Sequence, residues 1–246
     1  MSRISLKLIS KVRIIPKVYY LIYKTESELD FIPGQFFSLE IAPKTFRSYS
    51  TISLDKIFPN YLNQKGENLT SGNYIAFMIS TKPGGSASDY FEKTEVGTEL
   101  SAIGPNGKFA LQENSLPKVF VATGTGLAPF VCMIEKLLNQ NSNSEIKLFF
   151  GSWKLSEGFV VKFFDKYLNN SQYPNFQIYL VPEDLEGETE SEFVKVGRVT
   201  DVIPVVIQDF VNTEFYLCGH PGMVEAMKEV LINLGAENII MEKFGK

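Results

Sequence analysis

The stretch "FRSYSTIS" (46–53) sets Arg47, Tyr49, Ser50 and Thr51 in one short run. A guanidinium, a phenol and hydroxyls in a row can decorate the edge of a strand. They can equally line a groove for a ligand that is flat, charged and rich in hydrogen-bonding groups. A second run, "KPGGSASDYF" (82–91), brings Gly84, Gly85, Ser86, Ala87 and Ser88. Consecutive free N–H groups with hydroxyls beside them form a concavity for anions, although loops of this composition are common.

Two further stretches fall between an apolar run and a helical pattern. In "VATGTGLAPF", Gly124 and Gly126 let the backbone bend tightly and approach a ligand. Pro129 suits a first helical turn, where its missing N–H costs nothing, and the N–H groups exposed at a helix start attract phosphate. Pro129 stands where the G-x-G-x-x-G fingerprint has its last glycine, so the match to that fingerprint is incomplete. In "YLCGHPGMVEAM", Cys218 ends a strand. A single cysteine there is more often a small buried hydrophobe than a reactive group. His220, the only histidine, reads as a turn residue.

The elements that must position these residues divide into two regimes. Up to about residue 113 the chain reads as β. "SRISLKLIS" places Ile4, Leu6 and Leu8 on one face with a period of two. "PGQFFSLEI" and "NYIAFMIST" are further strands, and "GPNGKFAL" (104–111) reads as a turn leading into another. Short strands with turn punctuation predict a closed antiparallel barrel. The polar stretch 54–73 reads as a long surface loop. From residue 117 strands alternate with helices. "KVFVAT" is a buried parallel strand by its continuous apolar character. Phe130, Met133, Ile134, Leu137 and Leu138 then follow at helical spacing. Strand patterns recur at "IKLFFGS", "FQIYLVP", "EFYLCG" and "NIIME", with a second helix from about Gly222 to Leu234 stopped by Gly235. That alternation predicts a doubly wound parallel sheet. The expected domains are 1–113 and 114–246.

Composition bounds the function. The 246 residues are 44% hydrophobic and 21% charged, as in folded proteins rather than disordered ones. The net charge of -4, with no basic tract, argues against nucleic-acid binding. No apolar run approaches the roughly 18 residues of a membrane span, and the start lacks a signal-peptide core, so a cytoplasmic location is expected. Two cysteines and one histidine predict no metal site, and this chain's cysteines are too few for a four-cysteine iron–sulfur cluster.

"PGQF", "RSYS", "GGSAS", "GPNGKF", "GTGLAP" and "CGHPGM", in this order over about 33–244, resemble the ferredoxin–NADP reductase family of flavoproteins. The resemblance implies an FAD-binding antiparallel barrel followed by a domain for a nicotinamide nucleotide, NADH or NADPH. It places Arg47 on the FAD pyrophosphate, where a planar fork can bond phosphate bidentately. Tyr49 lies against the flavin, and Ser50 near its reactive N5 edge, with Thr51 next in the same motif. Gly84, Gly85, Ser86, Ala87 and Ser88 match the segment that holds the pyrophosphate. In the other domain Gly124, Thr125 and Gly126, with Ala128 and Pro129, match the dinucleotide-binding turn. Cys218 and Gly219, with Pro221 and Met223 after them, match the segment near the nicotinamide, where the cysteine shapes and positions rather than attacks. Glu242 and Phe244 in the tail "MEKFGK" match a terminal Glu-x-aromatic pattern, implying a proton-relay or charge-stabilising carboxylate and a short aromatic cover on the flavin. A frayed last strand is the plainer reading of that tail. Hydride transfer needs the two rings at roughly 3–3.5 Å, and the cofactors carry the chemistry while the protein aligns them.

The resemblance further implies a soluble electron carrier, such as ferredoxin or flavodoxin, as a separate one-electron acceptor. The alternatives are the reductase component of an oxygenase or other multi-protein complex, and a non-catalytic flavin-binding redox sensor. Where NADP-preferring members carry arginines, this chain has Trp153 and Lys154, then Glu183 and Asp184. Carboxylates repel a 2′-phosphate, so the local residues lean towards NADH.

Overall fold

The computed structural model describes residues 2–52, 73–140, 144–168 and 170–243. The chain divides into two compact units, residues 1–111 with 131–133, and residues 112–130 with 134–246. The expected surface loop at 54–73 lies almost wholly outside the described residues, as does Phe244.

The first unit is a closed six-stranded antiparallel barrel in the order β1-β2-β5-β4-β3-β6. Its strands are β1 (Ser2–Ile15), β2 (Val18–Lys24), β3 (Phe36–Ala42), β4 (Thr45–Ile52), β5 (Tyr74–Ser80) and β6 (Glu99–Asn106). The period of two in β1 holds: Leu6 and Leu8 are fully buried in the barrel core. Helix α1 (Ser86–Lys93) follows β5. Its Ala87, Tyr90 and Phe91, spaced i, i+3, i+4, form one apolar face packed on that same core.

One expectation needs correction. Residues 104–106 are not a turn before a new strand but the end of β6, with Gly104 opposite Ser2 in the ladder. Gly104 is in the strand because the Phe37 ring lies over it: a Cβ would sit 2.5 Å from Phe37 Cδ1. Residues 107–111 are then irregular. There the Phe109 carbonyl comes to 2.0 Å from where a Cβ on Gly34 would be. Gly34, with φ of 103°, is therefore a glycine for both reasons of space and conformation.

The second unit is a parallel five-stranded sheet in the order β11-β10-β7-β8-β9. It comprises β7 (Lys118–Thr123), β8 (Ile146–Lys154), β9 (Phe176–Asp184), β10 (Glu214–Gly219) and β11 (Asn238–Lys243). The helices are α2 (Ala128–Asn139), α3 (Val161–Phe164), α4 (Val199–Val206) and α5 (Pro221–Asn233). Strand β7 is buried from Lys118 to Ala122, which explains its unbroken apolar sequence. The winding runs outward from β7 through β8 to β9, then returns to β10 on the other side. This reversal puts the switch point of the sheet between β7 and β10, the place where an open α/β sheet forms its ligand crevice.

Candidate functional site

In the barrel, β4 pairs with β3 through Tyr49, Ser48 and Arg47, but its ladder to β5 among the described residues is only Thr51–Phe77 and Ile52–Ala76. Arg47 to Ser50 therefore lie where β4 has parted from β5, and residues 84–88 continue directly from the end of β5. The Tyr49 ring meets Phe91 of α1 edge-on at 5.4 Å, which fixes α1 beside β4. So the structure brings the "RSYS" and "GGSAS" residues to the same part of the barrel.

Their chemistry differs along the run. Arg47 is exposed, its Nη1 donates to the Phe46 carbonyl at 2.8 Å, and no carboxylate pairs with it among the described residues. Tyr49 is half-buried, and burial pushes its phenol up to about 12 against the opposing pull of Arg47. Ser50 and Thr51 are buried, and Thr51 Oγ1 donates to the Gln35 carbonyl at 2.9 Å. Gly84 takes a φ of 76° with open space where a Cβ would be. Gly85 is the N-cap of α1 with no side chain capping the helix, so its first N–H groups are left for a ligand or solvent. Ser86 is exposed, whereas Ser88 is buried and its hydroxyl accepts the Lys82 N–H at 2.7 Å. Ser88 thus braces the loop from beneath.

In the second unit β7 ends at Thr123, and a 3-10 turn, Gly124–Leu127, leads into α2. Gly124 has a φ of 54°, and a Cβ there would meet nothing within 4 Å. Gly126 is constrained by packing: a Cβ would lie 2.3 Å from the Cys218 carbonyl oxygen and 2.5 Å from Gly219 Cα. Gly219 (φ 138°) would in turn drive a Cβ to 2.4 Å from Thr123 Oγ1. The Thr123 hydroxyl accepts the His220 N–H at 3.0 Å. These contacts join the ends of β7 and β10 backbone to backbone, at the switch point. Thr123 is a residue that motif reading misses; its one signal in the sequence is a hydroxyl at the last position of an apolar strand. Pro129 stands in the first turn of α2 and Ala128 opens it. Pro221 opens α5, where His220 is the N-cap and its Nδ1 accepts the Gly222 N–H at 3.1 Å. Met223 packs, half-buried, against the hydrophobic core.

Cys218 is fully buried. Burial, and then the Glu242 charge, push its thiol well above the usual range, so it stays protonated at neutral pH. Glu242 is its partner in the β10–β11 ladder. The structure thus brings Cys218, Gly219, Gly126 and Glu242 together around the end of β10. It leaves the thiol unsuited to nucleophilic attack.

These donors fit the two groups that the resemblance implies. An exposed guanidinium, an uncapped helix start and a half-buried phenol suit a pyrophosphate joined to a flat ring. An open glycine turn at the switch point suits a dinucleotide.

Comparison with known proteins agrees. Residues 5–111 match the family described as "Oxidoreductase FAD-binding domain", and residues 120–229 match "Oxidoreductase NAD-binding domain". The chain is 30% identical over 222 residues to the toluate 1,2-dioxygenase electron transfer component of Pseudomonas putida, covering 89% of this chain and 60% of that protein. It is 30% identical over 219 residues to the reductase component of the naphthalene 1,2-dioxygenase system of the same organism, covering 87% of this chain and 61% of that one. The chain thus spans about 60% of the length of these curated relatives. Among solved structures, the ferredoxin reductase in carbazole 1,9a-dioxygenase superposes with a TM-score of 0.80 at 21% identity, over 99% of this chain and 70% of that one. A ferredoxin NADP+ reductase from Neisseria gonorrhoeae, with bound FAD and NADP, does so with a TM-score of 0.76 at 18% identity, over 99% of both chains. Fold and matched domains define a chain with one FAD-binding and one NAD-binding oxidoreductase domain. The chain belongs to the ferredoxin–NADP reductase family, with one domain for FAD and one for NAD(P)H.

Proposed function

We propose that this chain is an FAD-dependent NAD(P)H reductase that hands electrons singly to a separate, soluble electron-carrier protein such as ferredoxin or flavodoxin, in the cytoplasm. Residues 1–113 hold FAD and residues 114–246 hold the nicotinamide nucleotide. The observation that carries the reading is the presence, on one chain, of an exposed arginine beside Tyr49 that no carboxylate pairs with among the described residues, and an open glycine turn at a sheet switch point. When bound, the flavin supplies the redox chemistry, accepting an electron pair and releasing it one electron at a time.

The protein's own part is holding and orienting. Arg47 neutralises the pyrophosphate, and the N–H groups of Gly84, Ser86 and Ala87 bond it, while Gly85, whose own N–H goes to the Lys82 carbonyl, and Ser88 keep their loop in shape. Tyr49 gives the flavin a flat apolar face, and Ser50 and Thr51 offer hydroxyls along the same strand. Gly124, Thr125 and Gly126, followed by Ala128 and Pro129, receive the nucleotide's phosphates. Cys218 and Gly219, with Pro221 and Met223, shape the floor under the nicotinamide, and the neutral thiol keeps that floor uncharged. Glu242 holds charge or a proton beside it.

A second reading, the reductase component of an oxygenase, is favoured by the names of the two Pseudomonas relatives. The purified chain should be yellow and should bleach anaerobically on adding NADH or NADPH. A yellow chain indifferent to both nucleotides would point to a redox sensor. Steady-state rates against a panel of carrier proteins and oxygenase components separate the first two readings.

A further inference from the structure

The carboxylate that selects a ribose in a doubly wound sheet sits at the end of the second strand from the glycine turn. That strand is β8 here. Its end faces the turn after β9, and Lys154 is opposite Asp184 in the ladder. The N-cap of α4, Arg198, comes to the same end: the next residue, Val199, has a methyl 3.3 Å from where a Cβ on Gly151 would be.

Both cations already face carboxylates. Lys154 Nζ lies 3.5 Å from Glu186 Oε1, and Arg198 Nε lies 3.5 Å from Glu183 Oε1. Glu186 is held in place by its backbone. It takes a φ of 55°, in the left-handed region, and its N–H donates to Asp184 Oδ1 at 2.8 Å. Its other carboxylate oxygen accepts the Ser156 N–H at 2.8 Å. Bonds from Ser156, and then Lys154, hold the Glu186 carboxyl below the usual range, so it is charged at neutral pH. Residues with positive φ outside glycine persist where the surroundings impose them, and they cluster at functional positions.

Resting on the reading of this unit as a nicotinamide-nucleotide domain, we propose that Glu186 sets its choice of nucleotide, by occupying Lys154 and the Ser156 N–H so that NADH is taken in preference to NADPH. A 2′-phosphate brings close to two negative charges at neutral pH. To bind at the end of β8 it must displace Glu186 from Lys154 or Glu183 from Arg198, and either way it lies beside the displaced carboxylate and Asp184. A 2′-hydroxyl carries no charge and donates to a carboxylate without disturbing either pair. The two ion pairs are exposed and individually weak. Selectivity therefore comes from the fixed negative charge that Glu186 and its neighbours bring to the site, and it should fall with added salt.

The test uses the full-length FAD-loaded chain. Calorimetric titration with AMP and with 2′,5′-ADP reads the adenosine site alone, and anaerobic flavin bleaching by NADH and NADPH reads the whole nucleotide. AMP should bind at least tenfold tighter than 2′,5′-ADP, with a kcat/KM ratio leaning the same way. Glu186→Gln, which leaves the turn and its Ser156 bond but frees Lys154, should narrow both ratios by about tenfold. Glu183→Gln, on the other pair, should narrow them by about threefold. Equal binding of the two mononucleotides by the unaltered chain overturns the proposal. So does a Glu186→Gln variant with an unchanged melting curve and unchanged ratios, or a preference for 2′,5′-ADP that vanishes in Arg198→Ala. Bleaching by neither dinucleotide removes the functional reading itself and the specificity argument with it, whereas equal bleaching by both removes only the latter.

Discussion

At the scale of single residues, the two glycines of "GTGLAP" have different reasons to be glycine. A methyl on Gly126 would overlap the backbone of Cys218 and Gly219, and no rotamer can relieve a clash with backbone. Gly126→Ala should cost about 3 kcal/mol, at the upper end of the usual overpacking penalty. It should also weaken nucleotide binding, because it pushes apart the ends of β7 and β10. Gly124→Ala meets no atom and should cost only the left-handed strain, about 1–2 kcal/mol. Urea unfolding of both variants checks the order, and equal losses would mean that the β7–β10 joint yields. Arg47 tests the other unit. A charge-assisted bond to phosphate is worth about 1.5–3 kcal/mol, so Arg47→Ala should loosen FAD by roughly 10- to 100-fold. Arg47→Lys should fall between, since it keeps the charge and loses the fork. Flavin fluorescence released on dilution measures this, and full retention of FAD by Arg47→Ala would take the arginine out of the cradle.

At the scale of elements, the edge-on packing of Tyr49 against Phe91 ties β4 to α1 and makes the barrel sensitive to alkali. Burial pushes the Tyr49 phenol up to about 12, whereas the unfolded chain loses that proton near the ordinary phenol value of 10.0. Between these values the folded chain binds the extra proton. The contribution is fully present below pH 10 and is lost as pH rises towards 12. Tyr49→Phe should flatten the fall in urea midpoint over that range, and an identical slope in both proteins would show the phenol to be solvated. The same elements explain what could be read from sequence. Strands β1 and β3 announced themselves, the first by alternation and the second by the turn before it. The strand β2, "VYYLIYK", gave no alternation because Tyr20 to Tyr23 are buried without a break. The strand β4 carries hydroxyls and an arginine where strands usually carry branched apolar residues, so it reads as a site before it reads as a strand. Helix α1 was hidden, because its apolar face of Ala87, Tyr90 and Phe91 sits inside a run whose composition is that of a loop. Only the strand order of the structure places the switch point of the second unit, whereas the doubly wound sheet itself followed from strand–helix alternation. Thr123 and Glu186 did not: the one acts through a hydroxyl at a strand end and the other through a backbone angle, and neither leaves a pattern in residue types.

At the scale of the whole molecule, the segment that leaves the barrel and enters the sheet is fastened by a buried polar network. Lys118 and Glu214 open β7 and β10, side by side in the ladder, and their charged ends are 2.9 Å apart and almost wholly buried. The Lys118 ammonium also donates to the Leu116 carbonyl at 3.0 Å. Tyr216 OH donates to Glu214 at 2.8 Å and accepts the Gln112 N–H at 2.9 Å, and Asn114 Nδ2 bonds the other Glu214 oxygen. Residues 112–118 are thereby held at the N-terminal ends of the strands, opposite the crevice. A buried pair of this kind adds little to stability over an apolar pair of the same shape, but removing one partner strands the other charge and costs about 3–5 kcal/mol. Lys118→Met should therefore lower the unfolding free energy by about that amount, while Lys118→Met with Glu214→Leu should recover most of it. Flavin reduction by the nucleotide should stay within about twofold in the double variant, because the crevice lies at the other end of the strands. If the double variant is stable and yet reduces its flavin many times more slowly, this network reaches the site through the segment it fastens, and holding residues 112–118 is then part of the reaction rather than of the fold alone.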